Sequence, residues 1–242
     1  MSQFRALAIV HQDDAGPGVF TDAFVNAGIR LDQWMVSAGA DPPADPASYD
    51  AVAAFGGAMH ADEDERHPWL GEEKRILARL LDAGTPLLGV CLGSQLLAEA
   101  AGAEVRRARA PEIGWHEVVL EPAATGDPVL GSLPQRFTAF GWHSYETTLP
   151  PGATALAHSD ICLQAYRAGD SAWGIQFHAE VSPADLERWT VNYEEDPDAV
   201  AIGLDPEALG RRNAEEIGRW NDIGRTLCGS FCDFVRGRLS PA

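Results

Sequence analysis

The sequence predicts an α/β fold. The expected form is a three-layer, mostly parallel, flavodoxin-like central sheet with helices on both faces and an antiparallel extension. Three observations predict it. Residues 5–101 run strand, helix, strand, strand, helix, strand, helix. Strand segments such as RALAIV and PLLGV are continuous apolar runs, as expected of strands covered on both faces. The middle of the chain then turns into a series of strand-like segments separated by Gly and Pro, which suits an antiparallel or mixed continuation of the same sheet.

Each element has its own signal. Arg5–Val10 is apolar and stops at the polar run His-Gln-Asp-Asp, so it reads as a first β-strand and not as a signal peptide. Val19–Ala27 has helical spacing and ends at Gly28, a favoured helix stop. Leu31–Val36 reads as a second strand, and Ala38–Ser48, rich in Pro, Asp and Ala, as a surface loop. Tyr49–Phe55 is a buried strand that runs into Gly56-Gly57. Pro68–Leu81 is an amphipathic helix, with Leu70, Ile76, Leu77, Leu80 and Leu81 on or near one face. Pro86–Val90 is a short strand, followed at once by Cys91-Leu92-Gly93 and the helix former Ser94–Ala101. Glu112–Leu120, Arg136–Phe140, Ala153–His158, Cys162–Tyr166 and Ala172–Phe177 are the strand candidates of the middle. Pro183–Tyr193 reads as a helix, and Asp205–Arg238 as helical with interruptions. No repeat or interdomain linker stands out. The expectation is one domain over residues 1–242, with a core of about 5–195 and a helical extension at 196–242.

Composition narrows the function. The formal net charge is −18. A surface this acidic repels phosphate backbones and anionic lipid, so neither nucleic acid nor a membrane is an expected partner. Of the four cysteines, Cys228 and Cys232 are spaced CxxxC, which is neither a redox CxxC nor a zinc knuckle. They read as packing thiols in a reducing cytoplasm. No cluster has zinc-ligand spacing, and neither a metal nor an organic cofactor is expected.

Ligands of open α/β sheets bind beyond the carboxyl ends of the strands, and three segments should meet there. Gly89-Val90-Cys91-Leu92-Gly93 joins a strand to a helix. A nucleophile on such a tight turn stands clear of the sheet, and small neighbours let the backbone pass close to a substrate. The N-terminus of the next helix would stabilise a thiolate. The second segment, Gly174-Ile175-Gln176-Phe177-His178-Ala179-Glu180, leads a strand into a histidine with a carboxylate two residues on. A thiol nucleophile needs such a base, and the base needs a group that fixes its tautomer. The third, Phe55-Gly56-Gly57, can turn backbone N–H groups toward an oxyanion. Cys91 is therefore the candidate nucleophile, His178 the base and Glu180 its orienting acid. The N–H groups of Gly57 and Leu92 are the candidate oxyanion donors.

These segments carry a resemblance. GVCLGSQLLAEAAGAEV resembles the nucleophile motif of class I (triad) glutamine amidotransferases. GIQFHAE is similar to that family's His-x-Glu motif, with Ala179 where proline is usual. FGGAMHADEDERHPWLGEEKRIL and EIGWHEVVL resemble a stand-alone, guanylate-synthase-like subgroup. The resemblance implies cleavage of the γ-amide of glutamine through a γ-glutamyl thioester. It places Gly56, Gln95 and the segment Trp142, His143, Ser144 and Tyr145 around the substrate. It departs from the usual pattern at Trp142, where a small or amide residue is commoner.

The implied partners are glutamine or a γ-glutamyl small molecule and a separate synthase subunit, since the chain has no GxxxxGK[ST] loop or other synthase segment. Two alternatives stay open. One is a free-standing γ-glutamyl amide or peptide hydrolase. The other is a catalytically silent scaffold, which the presence of all three triad residues disfavours. A cysteine variant of the α/β-hydrolases is disfavoured too, because its acid would precede the histidine.

Overall fold

The computed structural model describes residues 4–239. Its sheet has the strand order β2-β1-β3-β4-β9-β8-β7-β5-β6. The first five strands in that order are parallel: β2 (Arg30–Met35), β1 (Arg5–Val10), β3 (Ala51–Ala54), β4 (Leu87–Val90) and β9 (Ala172–Ile175). The remaining four, β8 (Leu163–Ala168), β7 (Thr154–His158), β5 (Val105–Leu120) and β6 (Arg136–Thr147), are antiparallel to their neighbours. The parallel half and its antiparallel extension both form, but Ala172–Ile175, grouped by the sequence with the extension, instead pairs parallel with β4 as part of the parallel half.

Both faces of the parallel half are covered. In β1, Ala6, Ala8 and Val10 face one hydrophobic cluster, and Leu7 and Ile9 face the other. The first cluster takes in α1 (Phe20–Asn26), α4 (Pro183–Val191) and the long C-terminal α6 (Pro206–Leu239). The second takes in α2 (Pro68–Asp82) and α3 (Leu92–Ala100). This two-sided burial is why β1, β3 and β4 read as unbroken apolar runs. A short helix, α5 (Pro197–Ala201), follows α4.

Three elements differ from expectation. β5 begins at Val105, inside the charged run Arg106-Arg107-Ala108-Arg109. There it pairs with the end of β6, Val105 opposite Thr147, and the register shifts between Arg107 and Glu112. Pro111 lies at that irregularity, where the loss of one N–H is tolerated. This arm is held by the ladder and by ion pairs such as Arg106 with Glu146, so it shows no apolar pattern. β6 extends to Thr147, so Trp142–Tyr145 is strand and not loop. Finally, α6 is one uninterrupted helix. Asp205 caps it by accepting from the N–H groups of Glu207 and Ala208. Its glycines do not break it. A Cβ at Gly224 would lie 2.0 Å from the Ala179 carbonyl oxygen, so this glycine lets α6 press on the backbone that follows β9.

Candidate active site

β4 and β9 lie side by side, Val90 opposite Ile175, and the Cys91 N–H continues their ladder by donating to the Ile175 carbonyl at 2.8 Å. The two strands therefore deliver Cys91 and, three residues past Ile175, His178 to the same sheet edge. Cys91 has φ 50° and ψ −110°, and among the described residues it alone, glycines aside, has positive φ. Such a conformation costs ~1–3 kcal/mol. It is sustained by tight packing on both sides. A Cβ at Gly93 would sit 2.2 Å from the Ala54 carbonyl oxygen, and one at Gly89 would sit 2.6 Å from that of Gly93.

The imidazole of His178 is buried, and its Nδ1 lies 2.7 Å from Glu180 Oε1. Its other nitrogen is thereby left on the side of the ring that Glu180 does not hold, and Cys91 interacts electrostatically with the imidazole. The edge of the ring meets Trp189, with centroids 4.9 Å apart. Burial alone would lower the proton affinity of His178. The charges of Glu180 and Cys91 outweigh it and push the pKa up to about 10. Gly56 leaves room for the ring, since a Cβ there would lie 2.8 Å from His178 Cε1. The loop is held from behind by α6: Trp220 Nε1 donates to the His178 carbonyl at 2.7 Å, and Asn221 Nδ2 to that of Val181 at 2.7 Å.

The N–H groups of Gly57 and Leu92 border the same cavity, and among the described residues neither donates to a backbone carbonyl. The Gly56–Gly57 peptide is fixed by a pair that the sequence does not reveal. His11 Nδ1 donates to the Gly56 carbonyl at 3.0 Å, and His11 Nε2 lies 2.8 Å from Glu73 Oε2. Both side chains are fully buried. A peptide's C=O and N–H point in opposite directions, so anchoring the Gly56 oxygen aims the Gly57 N–H away from His11. Burial works against a charged His11, but Glu73 and the Gly56 carbonyl prevail and raise its pKa. His11 directly follows β1, and a histidine at the carboxyl end of a central strand was the available signal. Its partner lies 62 residues away, on α2.

The cavity has a volume of about 430 Å³. Gln95 lies on its floor, and its amide donates to the Tyr145 carbonyl at 3.3 Å and to Gln176 Oε1 at 3.1 Å. The Trp142 carbonyl is 3.9 Å from Cys91 Sγ. The Trp142 indole packs on Trp189 and donates to Asp196 Oδ2 at 2.8 Å, and the Tyr145 ring stacks on His60 at 4.2 Å. Arg107 forms an ion pair with Asp198 at the edge of the cavity. His143 differs from its neighbours, because its ring is turned toward Glu112, in the antiparallel part of the sheet. The outer wall is formed by Asn192 to Asp198, a segment without a functional motif of its own.

The chain is similar to known proteins over most of its length. The family described as glutamine amidotransferase class-I matches residues 20–191. The glutamine amidotransferase-like protein YfeJ of Salmonella typhimurium is 28% identical over 187 residues, covering 76% of this chain and 78% of that protein. A gamma-glutamyl-L-1-hydroxyisopropylamide hydrolase of a Pseudomonas species is 32% identical over 160 residues, and the match covers 59% of this chain and 54% of that one. Among solved structures, a glutamine amidotransferase of Thermotoga maritima superposes with a TM-score of 0.86 at 29% identity, covering 96% of this chain and all of that one. Among the described residues, no helix is long and apolar enough to cross a membrane.

Proposed function

This chain belongs to the class I glutamine amidotransferase family, and from that premise we propose that it hydrolyses the γ-carboxamide of glutamine through a Cys91-His178-Glu180 triad. The single observation that carries the reading is the strained, positive-φ Cys91 beside a buried His178 whose far nitrogen is held by Glu180 at 2.7 Å. His178 holds the thiol proton as an imidazolium while Cys91 Sγ attacks the amide carbon. The oxyanion is received by the N–H groups of Gly57 and Leu92. His178 then protonates the departing nitrogen, and ammonia leaves a γ-glutamyl thioester on Cys91. A water molecule gives its proton to His178 and attacks the thioester, and glutamate is released as the proton returns to the thiol. Glu180 keeps the imidazole in one tautomer throughout. Gln95 and the strand carbonyls from Trp142 to Tyr145 hold the amino-acid end of the substrate. The protein acts in the cytoplasm and passes ammonia to a separate synthase subunit.

A second reading is favoured by the size of the cavity. About 430 Å³ is within the range that takes drug-sized ligands, with aromatic rings and the Asn192–Asp198 wall to cover them. A free-standing hydrolase of larger γ-glutamyl amides would use the same chemistry and release an amine in place of ammonia.

One experiment tests both. Glutamate release is measured from glutamine and from several γ-glutamyl amides, with wild type and Cys91→Ser, alongside peptide mapping of a glutamine-like diazo-ketone label. Label on Cys91 and loss of turnover in the variant are expected. Label on Cys162, Cys228 or Cys232 would remove the triad from consideration. A strong kcat/KM preference for a bulky amide selects the second reading. Weak turnover that rises when a synthase from the same organism is added selects the first.

A further inference from the structure

Behind the strand Trp142–Tyr145, the fold assembles three side chains that are far apart in sequence. Glu112 on β5, His143 on β6 and Cys162 just before β8 are all buried, and their ligand atoms lie within 4.8 Å of one another. Glu112 Oε2 is 3.4 Å from His143 Nε2 and 3.4 Å from Cys162 Sγ. We propose that these three residues bind a zinc-like divalent cation and that the bound ion fixes the substrate-facing strand from behind.

The arrangement of hydrogen bonds supports a cation. His143 Nδ1 is 3.0 Å from the Tyr145 carbonyl, which can only accept, so this nitrogen carries the proton. The neutral tautomer then has its lone pair on Nε2. That atom is buried, has no hydrogen-bond partner and faces a carboxylate oxygen. A lone pair opposed to a carboxylate calls for a positive species between them. A histidine that donates its far N–H to a backbone carbonyl is the usual outer support of a metal-ligating imidazole. The carboxylate is supported too, by Gln164 Nε2 donating to Glu112 Oε2 at 2.7 Å.

Ligand type agrees, and so do the two separations to Glu112. Tetrahedral zinc with one sulfur, one nitrogen and one oxygen ligand sets those atoms ~3.3–3.6 Å apart. The two measured separations to Glu112 Oε2 fall there. Binding displaces the Cys162 thiol proton to solvent, leaving a thiolate and a carboxylate against a doubly positive ion. The buried unit is then neutral overall, which removes the cost of an uncompensated charge. Three protein ligands leave one coordination position open. The link to the active site is direct. The residues flanking His143 carry the Trp142 carbonyl near Cys91 Sγ and the Tyr145 carbonyl that receives Gln95.

The test uses the full chain, freed of metal with a chelator, and Co²⁺ and Zn²⁺ as probes. Cys91→Ser serves as the parent, so that the catalytic thiol cannot bind. It is expected to take up one Co²⁺ per chain with a thiolate-to-cobalt charge-transfer band and tetrahedral d–d bands, and to lose both when Zn²⁺ is added. Adding Cys162→Ser should abolish the band. X-ray absorption on the Co²⁺-loaded parent decides the case even if that double variant does not fold: one sulfur ligand with nitrogen and oxygen is expected. Two sulfurs would place the metal on Cys228 and Cys232 and overturn the proposal. So would absence of stoichiometric uptake by the parent, or a band that survives loss of Cys162.

Discussion

The buried pair His11–Glu73 offers a way to weaken the proposed oxyanion site without touching it. Both hydrogen bonds of His11 are short, 3.0 Å to the Gly56 carbonyl and 2.8 Å to Glu73. A charged imidazolium donates to both. In Glu73→Gln the new amide donates to Nε2, while a neutral imidazole still donates from Nδ1 to Gly56. The geometry is kept and only the charge is lost. Hydrogen bonds from a charged group contribute ~1.5–3 kcal/mol and neutral ones ~0.5–1.5 kcal/mol, so the hold on the Gly56–Gly57 peptide weakens by about 1 kcal/mol. At ~1.4 kcal/mol per decade, kcat for glutamate release should fall about fivefold to tenfold, with KM nearly unchanged. The double variant His11→Phe/Glu73→Leu removes the anchor while leaving no unpaired buried charge, and apolar replacement of a buried ion pair is often tolerated. Its kcat should approach the ~100-fold to 1,000-fold loss of a missing oxyanion donor. The assay is steady-state glutamate release, paired with circular dichroism and thermal melts. A double variant with a wild-type melt and wild-type kcat would refute the idea that His11 aims the Gly57 N–H.

Further expectations concern the triad and its surroundings. Gly56→Ala should lower kcat by at least ~100-fold, because a Cβ 2.8 Å from His178 Cε1 displaces a ring that Glu180 and Trp189 hold in place, and misplacement of this order has such a cost; turnover within threefold of wild type would contradict the packing. Cys91→Gly should be more stable than Cys91→Ala by about 1 kcal/mol, or ~2–4 °C in Tm, since only glycine relaxes at φ 50°; the reverse order in calorimetry would mean the turn is not strained. The pKa of His178 is raised from 6.5 to about 10, so its stabilising contribution is fully present below pH 6.5 and is lost as pH rises toward 10. The unfolding free energy from urea titrations should therefore fall across that window, by at most ~1.4 kcal/mol per pH unit from this group, and the fall should flatten in Glu180→Gln. Trp142→Ala should reduce kcat/KM for a bulky γ-glutamyl amide far more than for glutamine if the indole on Asp196 shapes specificity, and equal losses would make it a packing residue only.

The parallel half and the three segments around Cys91 were legible because their signals are local. An apolar run ending in Gly-x-Cys-x-Gly, or a strand ending in His-x-Glu, needs only a few consecutive residues. What sequence reading missed depends on contacts between distant residues. Glu73 looks like a solvated residue of an amphipathic helix until α2 is docked on His11. Glu112, His143 and Cys162 have no ligand spacing, because three strands bring them together. Residues 105–107 lie in a stretch too charged to read as strand, yet the ladder to β6 holds them. Gly224 reads as a helix interruption, whereas it is the point where α6 meets Ala179.

The placement of Cys91 and His178 on adjoining strands has a consequence for motion. Neighbouring strands are spaced by their hydrogen-bond ladder at ~4.8 Å, so the distance between the two segments is set by the stiffest part of the molecule. Opening that pair would require breaking the centre of the sheet, a step close in free energy to global unfolding. The Asn192–Asp198 wall is different, being mostly exposed and tied to the sheet by side chains alone, Asp196 to the Trp142 indole and Asp198 to Arg107. In hydrogen exchange, the Cys91 amide should be among the last to exchange, while the amides of the wall should exchange early. Control over what enters is thus separated from the chemistry: selection can change by remodelling a pliable rim, with the reacting groups left where the sheet holds them.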